Sequence, residues 1–368
     1  MIAVSASFEN FRNLENVSLS LSPGVNVLWG DNAQGKSNIL EGIYYFARGK
    51  SFRGAPDRLL VRTGCDFGGA SLVCRAQGAQ YDTALSVTIP RQGRKRLTRG
   101  GAPLSGVREM VGSFRAVLFC PEHLSLIRGA PALRRSFLDA AISQLRPAYL
   151  ASLNDYARIL KQRNALLKDD SQSEEARMPL LEVITHQFAD VNTRIVLTRQ
   201  KYIRLLNESV GQFLSDMTGE RERVSLSYLS DSDCEEEDSA FLAGHFYKKC
   251  MSYAGREFAA GTSLHGCHRD DIGVFLGGRE ARLCASQGQE RSIVLAMKLG
   301  EGELSRAASG EYPVFLFDDV LSELDRSRQR YLMQRLDARQ VIITSCNEEL
   351  FRGTDASLIE VRNGVYLQ

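Results

Sequence analysis

Residues 30–37 read Gly30-Asp31-Asn32-Ala33-Gln34-Gly35-Lys36-Ser37 and fit the pattern GxxxxGK[ST] in full. That arrangement suits one task, the cradling of a polyphosphate. Gly30 and Gly35 let the backbone curl so that several N–H groups converge on one point, and a helix starting there adds its positive dipole end. Lys36 is placed to reach the outer phosphates, and the Ser37 hydroxyl to ligate Mg²⁺. The plain alternative is a glycine-rich turn that merely starts a helix. A chance match in a chain of 368 residues is on the order of one in a hundred.

Such a cradle needs a second magnesium ligand from a neighbouring strand. Residues 313–320, PVFLFDDV, offer an apolar strand ending in Asp318 and Asp319. The first carboxylate is placed to hold the hydrated metal, and the second to take a proton from an attacking water. Two carboxylates ending a buried strand are costly without a cation nearby; the alternative is that they cap the following helix. Lys36 and Asp318 stand 282 positions apart, far more than in a simple nucleotide kinase or small GTPase, so a large element is inserted between them. A third segment, Cys284-Ala285-Ser286-Gln287-Gly288-Gln289, precedes an apolar helical stretch and by itself reads equally well as an ordinary N-cap.

Taken in this order, the three segments resemble the motifs of ATP-binding-cassette ATPases, and Ser322-Glu323-Leu324-Asp325 is similar to that superfamily's D-loop. The likeness narrows with the stretch from Asn10 to Arg53, FCPEHLSLIRGAPALRRSFLD (119–139), HGCHRDDI (265–272), ASQGQERS (285–292) and FDDVLSELD (317–325). Together these resemble the RecF family of bacterial recombination-repair proteins, over most of the chain. The resemblance implies an α/β P-loop ATPase head of cassette type, with a mixed or parallel sheet and flanking helices. It carries an inserted α-helical lobe, as in Rad50 and structural-maintenance-of-chromosomes heads without their long coiled coils. It implies ATP and Mg²⁺ as cofactors and ATP-dependent homodimerisation on DNA, at gaps or single-strand/duplex junctions and without sequence specificity. RecA loading with RecO and RecR, and slow hydrolysis stimulated by DNA, are implied as well.

Carried over residue by residue, Gly30, Asp31, Asn32, Ala33, Gln34, Gly35, Lys36, Ser37 and Asn38 surround the triphosphate. Ser37 and Asp318 hold the metal, and Asp319 is the base. Ser286, Gly288 and Gln289 form the signature, which closes over a phosphate held by another subunit, and Asp325 belongs to the D-loop. Glu122 falls where related heads carry the Q-loop glutamine. Ser345 stands where the superfamily's switch histidine is expected, which implies slow hydrolysis. Cys267 replaces a proline usual in the family. His268, Arg269 and Asp270 are motif residues without a derived role, and a salt-bridge network at the lobe boundary accounts for them as well as direct chemistry does.

The elements that must position these groups are partly legible. Short strands are predicted at Ser5–Phe8, Val17–Leu21 and Val25–Trp29, with Pro23-Gly24 as a turn. Ile39, Leu40, Ile43, Tyr44 and Phe46 recur at helical spacing over 36–48. Strands are predicted over 69–90. From 148 to 167 and from 180 to 217 the apolar spacing is heptad-like, predicting two long helices joined by KDDSQSEEARMP (168–179) into an antiparallel hairpin; two core-packed helices are the bland equivalent. DSDCEEED (231–238) reads as a solvated acidic loop. Phe315–Phe317 and Val341–Ile343 read as buried central strands. The expected division is an N-terminal half of the ATPase head at 1–125, a helical lobe at 126–261 and the rest of the head at 262–368.

Forty-six Lys and Arg against 44 Asp and Glu leave a formal charge of +2, so any polyanion must be held by a local patch. The candidates are Arg91, Arg94, Lys95, Arg96 and Arg99, and the pair Arg134-Arg135. A solvated hairpin and a lobe-packing pair are their plain alternatives. Eight scattered cysteines without a CxxC pair, and no signal-peptide or membrane-span pattern, point to a cytoplasmic protein with reduced thiols. Three other function classes are open. A transporter's nucleotide-driven subunit would co-fractionate with membranes, a small-molecule phosphotransferase would phosphorylate a metabolite, and a non-hydrolysing DNA binder would release no phosphate.

Overall fold

The computed structural model describes residues 1–230, 238–337, 339–348, 351, 353–362 and 365–367. The chain opens on a hairpin of β1 (Ile2–Phe11) and β2 (Leu14–Ser20), after which β3 (Val25–Trp29) runs into α1 (Lys36–Arg48). β4 (Phe67–Arg75), β5 (Thr83–Pro90), β6 (Arg96–Arg99) and β7 (Ala102–Pro103) extend the hairpin into an antiparallel sheet of order β2-β1-β4-β5-β6-β7. The short α2 (Val107–Met110) precedes β8 (Ala116–Phe119). Helices α3 (Pro131–Leu145), α4 (Pro147–Lys168) and α5 (Glu174–Thr218) follow.

Beyond them, β9 (Val224–Leu229), α6 (Ser239–Ser252), α7 (Ala254–Ala260), β10 (Asp271–Leu276) and β11 (Arg279–Glu280) give a small antiparallel sheet of order β11-β10-β9 with two helices. α8 (Ala281–Cys284), α9 (Gln287–Ser309), β12 (Val314–Asp318), α10 (Arg326–Arg335), β13 (Val341–Ser345), β14 (Ser357–Arg362) and β15 (Val365–Leu367) complete the chain.

The central sheet has the order β15-β14-β3-β13-β12-β8. Its pairs are parallel except β14 with β15. Successive side chains of a strand point to opposite faces, and both faces here are buried, which explains the unbroken apolar runs. Phe315 and Phe317 enter one core with Val27, Val117, Val341 and Ile343. Val314 and Leu316 enter the other with Leu28, Leu118 and Ile342. The first core continues into α3, α5 and α9 through Phe137, Leu206, Ile293 and Met297. The second holds α1 and the antiparallel sheet through Ile39, Ile43 and Phe8. Each such side chain contributes about 1.5–3 kcal/mol when taken fully out of water. Register closes the long gap in sequence: β13 pairs with β3 at Val341–Val25 and with β12 at Val341–Phe315.

α4 and α5 run antiparallel. Tyr149 meets Arg199, Tyr156 stacks on Phe188 at 5.0 Å between ring centroids, and the Leu166 carbonyl accepts from Arg177. The predicted connection over 168–179 is shorter in the structure. α5 already begins at Glu174, where the Ser173 hydroxyl caps it by accepting from the Ala176 N–H at 3.3 Å. Pro179 therefore lies inside the helix. It removes one backbone donor near the helix start, while Arg177 and Leu181 on either side are buried. The acidic run 231–238 falls outside the described residues except Asp238, whose carboxylate caps α6 by accepting from the Ala240 N–H at 2.9 Å.

Candidate nucleotide site

The loop between β3 and α1 has the shape that its glycines allow. Gly30 sits at φ +146°, and a Cβ there would lie 2.4 Å from the Val361 carbonyl oxygen on β14. Gly35 sits at φ +111°, where a Cβ would lie 2.8 Å from Asn13 Oδ1. Both positions combine left-handed backbone with a close approach, so a side chain is excluded twice over. Ala33 takes φ +64° without that relief. α1 has neither a side-chain cap nor an acidic residue in its first turn, so its first N–H groups and dipole face the loop. Lys36 is buried and donates to the carbonyls of Gly30 at 2.6 Å and Asp31 at 2.7 Å.

Around this loop, Asn13 donates to the Ala33 carbonyl at 3.4 Å and accepts from Asn38 at 2.8 Å. The Cys346 thiol donates to Asn32 Oδ1 at 2.9 Å. Asp31 and Asn32 are exposed, while Gln34, Ser37 and Asn38 are half-buried. β12, against which α1 packs, ends in the two acids. Asp318 is buried and accepts from the Thr344 hydroxyl at 3.0 Å. The same hydroxyl accepts from the Asp319 N–H at 2.8 Å, holding Asp319 at φ +53°. A non-glycine residue in that region stores strain, a cost of order 1–3 kcal/mol. Partial burial raises the Asp319 carboxyl above the ordinary aspartate range; Asp318 and Glu323 add to the shift and Lys36 opposes it.

Three further side chains tie this pocket to the rest of the head. Arg53 donates to Asn38 Oδ1 at 2.9 Å and lies 3.9 Å from Asp318 and 3.7 Å from Glu41. Glu41 is fully buried and also accepts Arg12 through two bonds, at 2.9 and 2.8 Å. Arg53, Thr344 and Asn13 escaped the sequence reading. Arg53 lies within a quoted stretch, but no local spacing marks its contact with a carboxylate 265 positions away.

The Ser286 turn lies on a different set of contacts. Ser286 is exposed and caps α9: its hydroxyl accepts from the Gln289 N–H at 3.3 Å, and its own N–H donates to Gln289 Oε1 at 2.8 Å. Gln289 also donates to Glu222 at 2.9 Å, and Arg128 holds the Ala285 carbonyl at 2.8 Å. Beside Gly288 lies Arg328, which pairs with Asp325 and donates to Ser292 at 2.7 Å. Asp325 in turn caps α10, accepting from the N–H groups of Ser327 at 3.0 Å and Arg328 at 2.9 Å. Arg291 pairs with Glu323 at 2.7 Å. The serine turn and the 322–325 loop are thus bolted to each other, by arginines that sequence spacing did not single out. Glu122 is exposed, in the six-residue 3₁₀ helix Pro121–Leu126 after β8.

The remaining motif residues sort differently. His268 bonds Tyr156 at 2.6 Å, and Asp270 accepts from Tyr228 and from Ser230 at 3.0 Å. Arg199 joins Asp139, Tyr149, Tyr228 and the Cys267 carbonyl. The Cys267 N–H donates to Asn192 at 2.7 Å, a bond that proline could not make. Burial pushes the Cys267 thiol up to about 12. Arg134, read as a nucleic-acid contact, is 4% exposed and bound to both oxygens of Asp271 at 2.7 and 2.8 Å. It packs the lobe instead. In the 91–99 cluster, Arg91, Lys95 and Arg99 are engaged by their own chain, leaving Arg94 and Arg96 exposed on the β5–β6 hairpin.

Among the described residues no helix is long and apolar enough to cross a membrane. The profile of the RecF/RecN/SMC N terminal domain family matches residues 4–365. The DNA replication and repair protein RecF of Staphylococcus carnosus is 37% identical over 343 residues, 93% of this chain and 92% of that protein. Its counterpart in Clostridium novyi is 36% identical over 335 residues, 91% and 90% of the two chains. A solved structure of the recombination mediator protein RecF-ATPrS in the RecFOR pathway superposes with a TM-score of 0.92 at 30% identity, covering 99% of this chain and 97% of that one. Fold and nearly the whole length are shared, and the chain belongs to the RecF family of DNA replication and repair proteins.

Proposed function

We propose that this chain is a recombination-repair ATPase in which ATP, held by the 30–38 loop, drives two copies together on DNA. The observation that carries the reading is the exposed Ser286 turn. Its contacts run to Glu222, Arg128 and α10, whereas the phosphate loop's run to Asn13, Arg53 and Cys346. A turn that serves a γ-phosphate from outside its own pocket must serve a second copy's. ATP then shifts the monomer–dimer balance only as far as it binds the dimer more tightly.

Within the pocket, the loop N–H groups and Lys36 bind the phosphates, and Lys36 exchanges its two backbone carbonyls for phosphate oxygens. Ser37 and Asp318 offer the hard oxygen donors that Mg²⁺ takes. Asp318 keeps one oxygen tied to Thr344 and the other 3.9 Å from Arg53. Held by Ser37 and Asp318, a magnesium ion would supply positive charge against the charge of the outer phosphates. Asp319, with its raised proton affinity, takes the proton of the attacking water. Ser345 supplies no imidazole, so turnover is slow, and DNA speeds it by stabilising the dimer. The reading extends to cytoplasmic action at gapped or junction DNA, with RecO and RecR assisting RecA loading, in keeping with relatives named as recombination mediators of the RecFOR pathway. Sedimentation with ATP, ADP or no nucleotide tests it. A dimer should form with ATP alone, and Ser286→Arg should abolish that dimer while the monomer still binds ATP. A wild-type protein that stays monomeric with ATP and DNA overturns the switch.

A further inference from the structure

A cleft of about 400 Å³ lies where the end of α1 meets α3 and α4, lined among others by Arg48, Lys50, Arg135, Ser136 and Asp139. It shares no residue with the phosphate loop. Arg48 donates only to the Ser136 hydroxyl, at 2.5 Å, and Arg135 to the Asp270 carbonyl, at 2.7 Å. None of the three cations is ion-paired among the described residues. The carboxylate that lines the cleft, Asp139, is spent elsewhere: Arg199 holds both its oxygens through three bonds at 2.9 and 3.0 Å, and the Tyr149 hydroxyl adds a fourth. Three positive side chains therefore face one recess with their countercharge already neutralised by a fourth. Lys50 is exposed at the mouth of the cleft, and its partial burial, followed by the charge of Arg48, lowers the ammonium's proton affinity, with Asp139 opposing. Like charges gathered in a recess repel, and an anion entering it relieves that repulsion.

We propose that this cleft is a second phosphate-binding site, taking a phosphate group between Arg48, Lys50 and Arg135. Arg48 and Arg135 present planar forks with donors to spare, which suit a phosphate bidentately, and Lys50 serves as a point charge. The Ser136 and Asn154 side chains on the walls are further hydrogen-bonding groups for a tetrahedral oxyanion. Two sources carry this chemistry, the backbone of a nucleic acid and a free polyphosphate. The site is distinct from the hairpin arginines Arg94 and Arg96. It lies on the helix that opens at the P-loop, one end of α1 facing each phosphate.

The test keeps the P-loop saturated with a non-hydrolysable ATP analogue and Mg²⁺, so that it competes for neither probe. The probes are a labelled 30-base-pair duplex and inorganic pyrophosphate. The readouts are binding across a salt series and the acetylation of Lys50 followed by mass spectrometry. Lys50→Gln and Arg135→Gln should each weaken the duplex about 3- to 10-fold and lower the salt slope by about one, with ATP-analogue binding unchanged. Protection of Lys50 by the duplex alone assigns the site to a nucleic-acid backbone; protection by pyrophosphate assigns it to a free polyphosphate. If neither probe protects Lys50, or both variants bind both probes as the wild type does, the site does not exist. ATP-dependent dimerisation, measured on the same variants, reports separately on the function proposed above.

Discussion

Two polar clusters in this molecule are built from the same kinds of residue and differ in what they leave over. Around Arg199, the carboxylate of Asp139, the hydroxyls of Tyr149 and Tyr228 and the Cys267 carbonyl all find partners within the chain. Around Lys36, the partners are two backbone carbonyls of its own loop and the Cys346 sulfur at 3.8 Å, neutral acceptors with no carboxylate among them, and Asp319 beside it is left exposed on a strained backbone. The first cluster is closed and holds two parts of the helical lobe together. The second is provisional and has exchangeable bonds. Polar residues that have spent their hydrogen bonds on each other stabilise; those held by replaceable ones can act on a ligand.

The largest expected break is at the closed cluster. Arg199→Ala leaves the Asp139 carboxylate without its ion-pair partner, with only the Tyr149 hydroxyl still bonded to it, and should cost about 3–5 kcal/mol in chemical denaturation, while the folded fraction binds ATP normally. Loss of ATP affinity with unchanged stability would reverse the assignment of the two clusters. Next comes Asp319→Asn, which should slow phosphate release by about 10²–10⁴-fold and trap the nucleotide-bound dimer. In the wild type, turnover should fall as acid protonates Asp319, and the midpoint should lie above the ordinary aspartate value of about 3.9 because its carboxyl is shifted upward. The variant should lose that limb. Lys36→Arg should have the smallest effect, lowering turnover by about 10-fold with melting unchanged, since the charge is kept and the point-like ammonium is replaced by a wider fork.

The contrast also explains what the sequence could disclose. The phosphate loop, the strand ending in Asp318-Asp319 and the Ser286 cap are local, each specified within eight or fewer consecutive positions, and their residue types follow from backbone geometry alone. Arg53, Thr344 and Arg328 are equally close to the pocket or to the serine turn, yet each acts through a fold-dependent neighbour. Thr344 reaches β12 only because β13 pairs beside it. Arg134 and Arg199 look alike as letters and as charges to the surface arginines. Only packing shows that both are buried. Pro179 reads as a boundary in a one-dimensional pattern, which sets the start of α5 too late, whereas the helix tolerates it near its capped end.

The central sheet carries one more consequence. Its alternate residues serve two cores, one gripping the helix behind the phosphate loop and the other the helix behind Ser286. A close-packed interior has little compressibility, so a displacement of β12 by a ligand at its tip is felt on both sides at once. On the function proposed above, the phosphate pocket and the Ser286 face need no dedicated linkage, because a single wall belongs to both rooms.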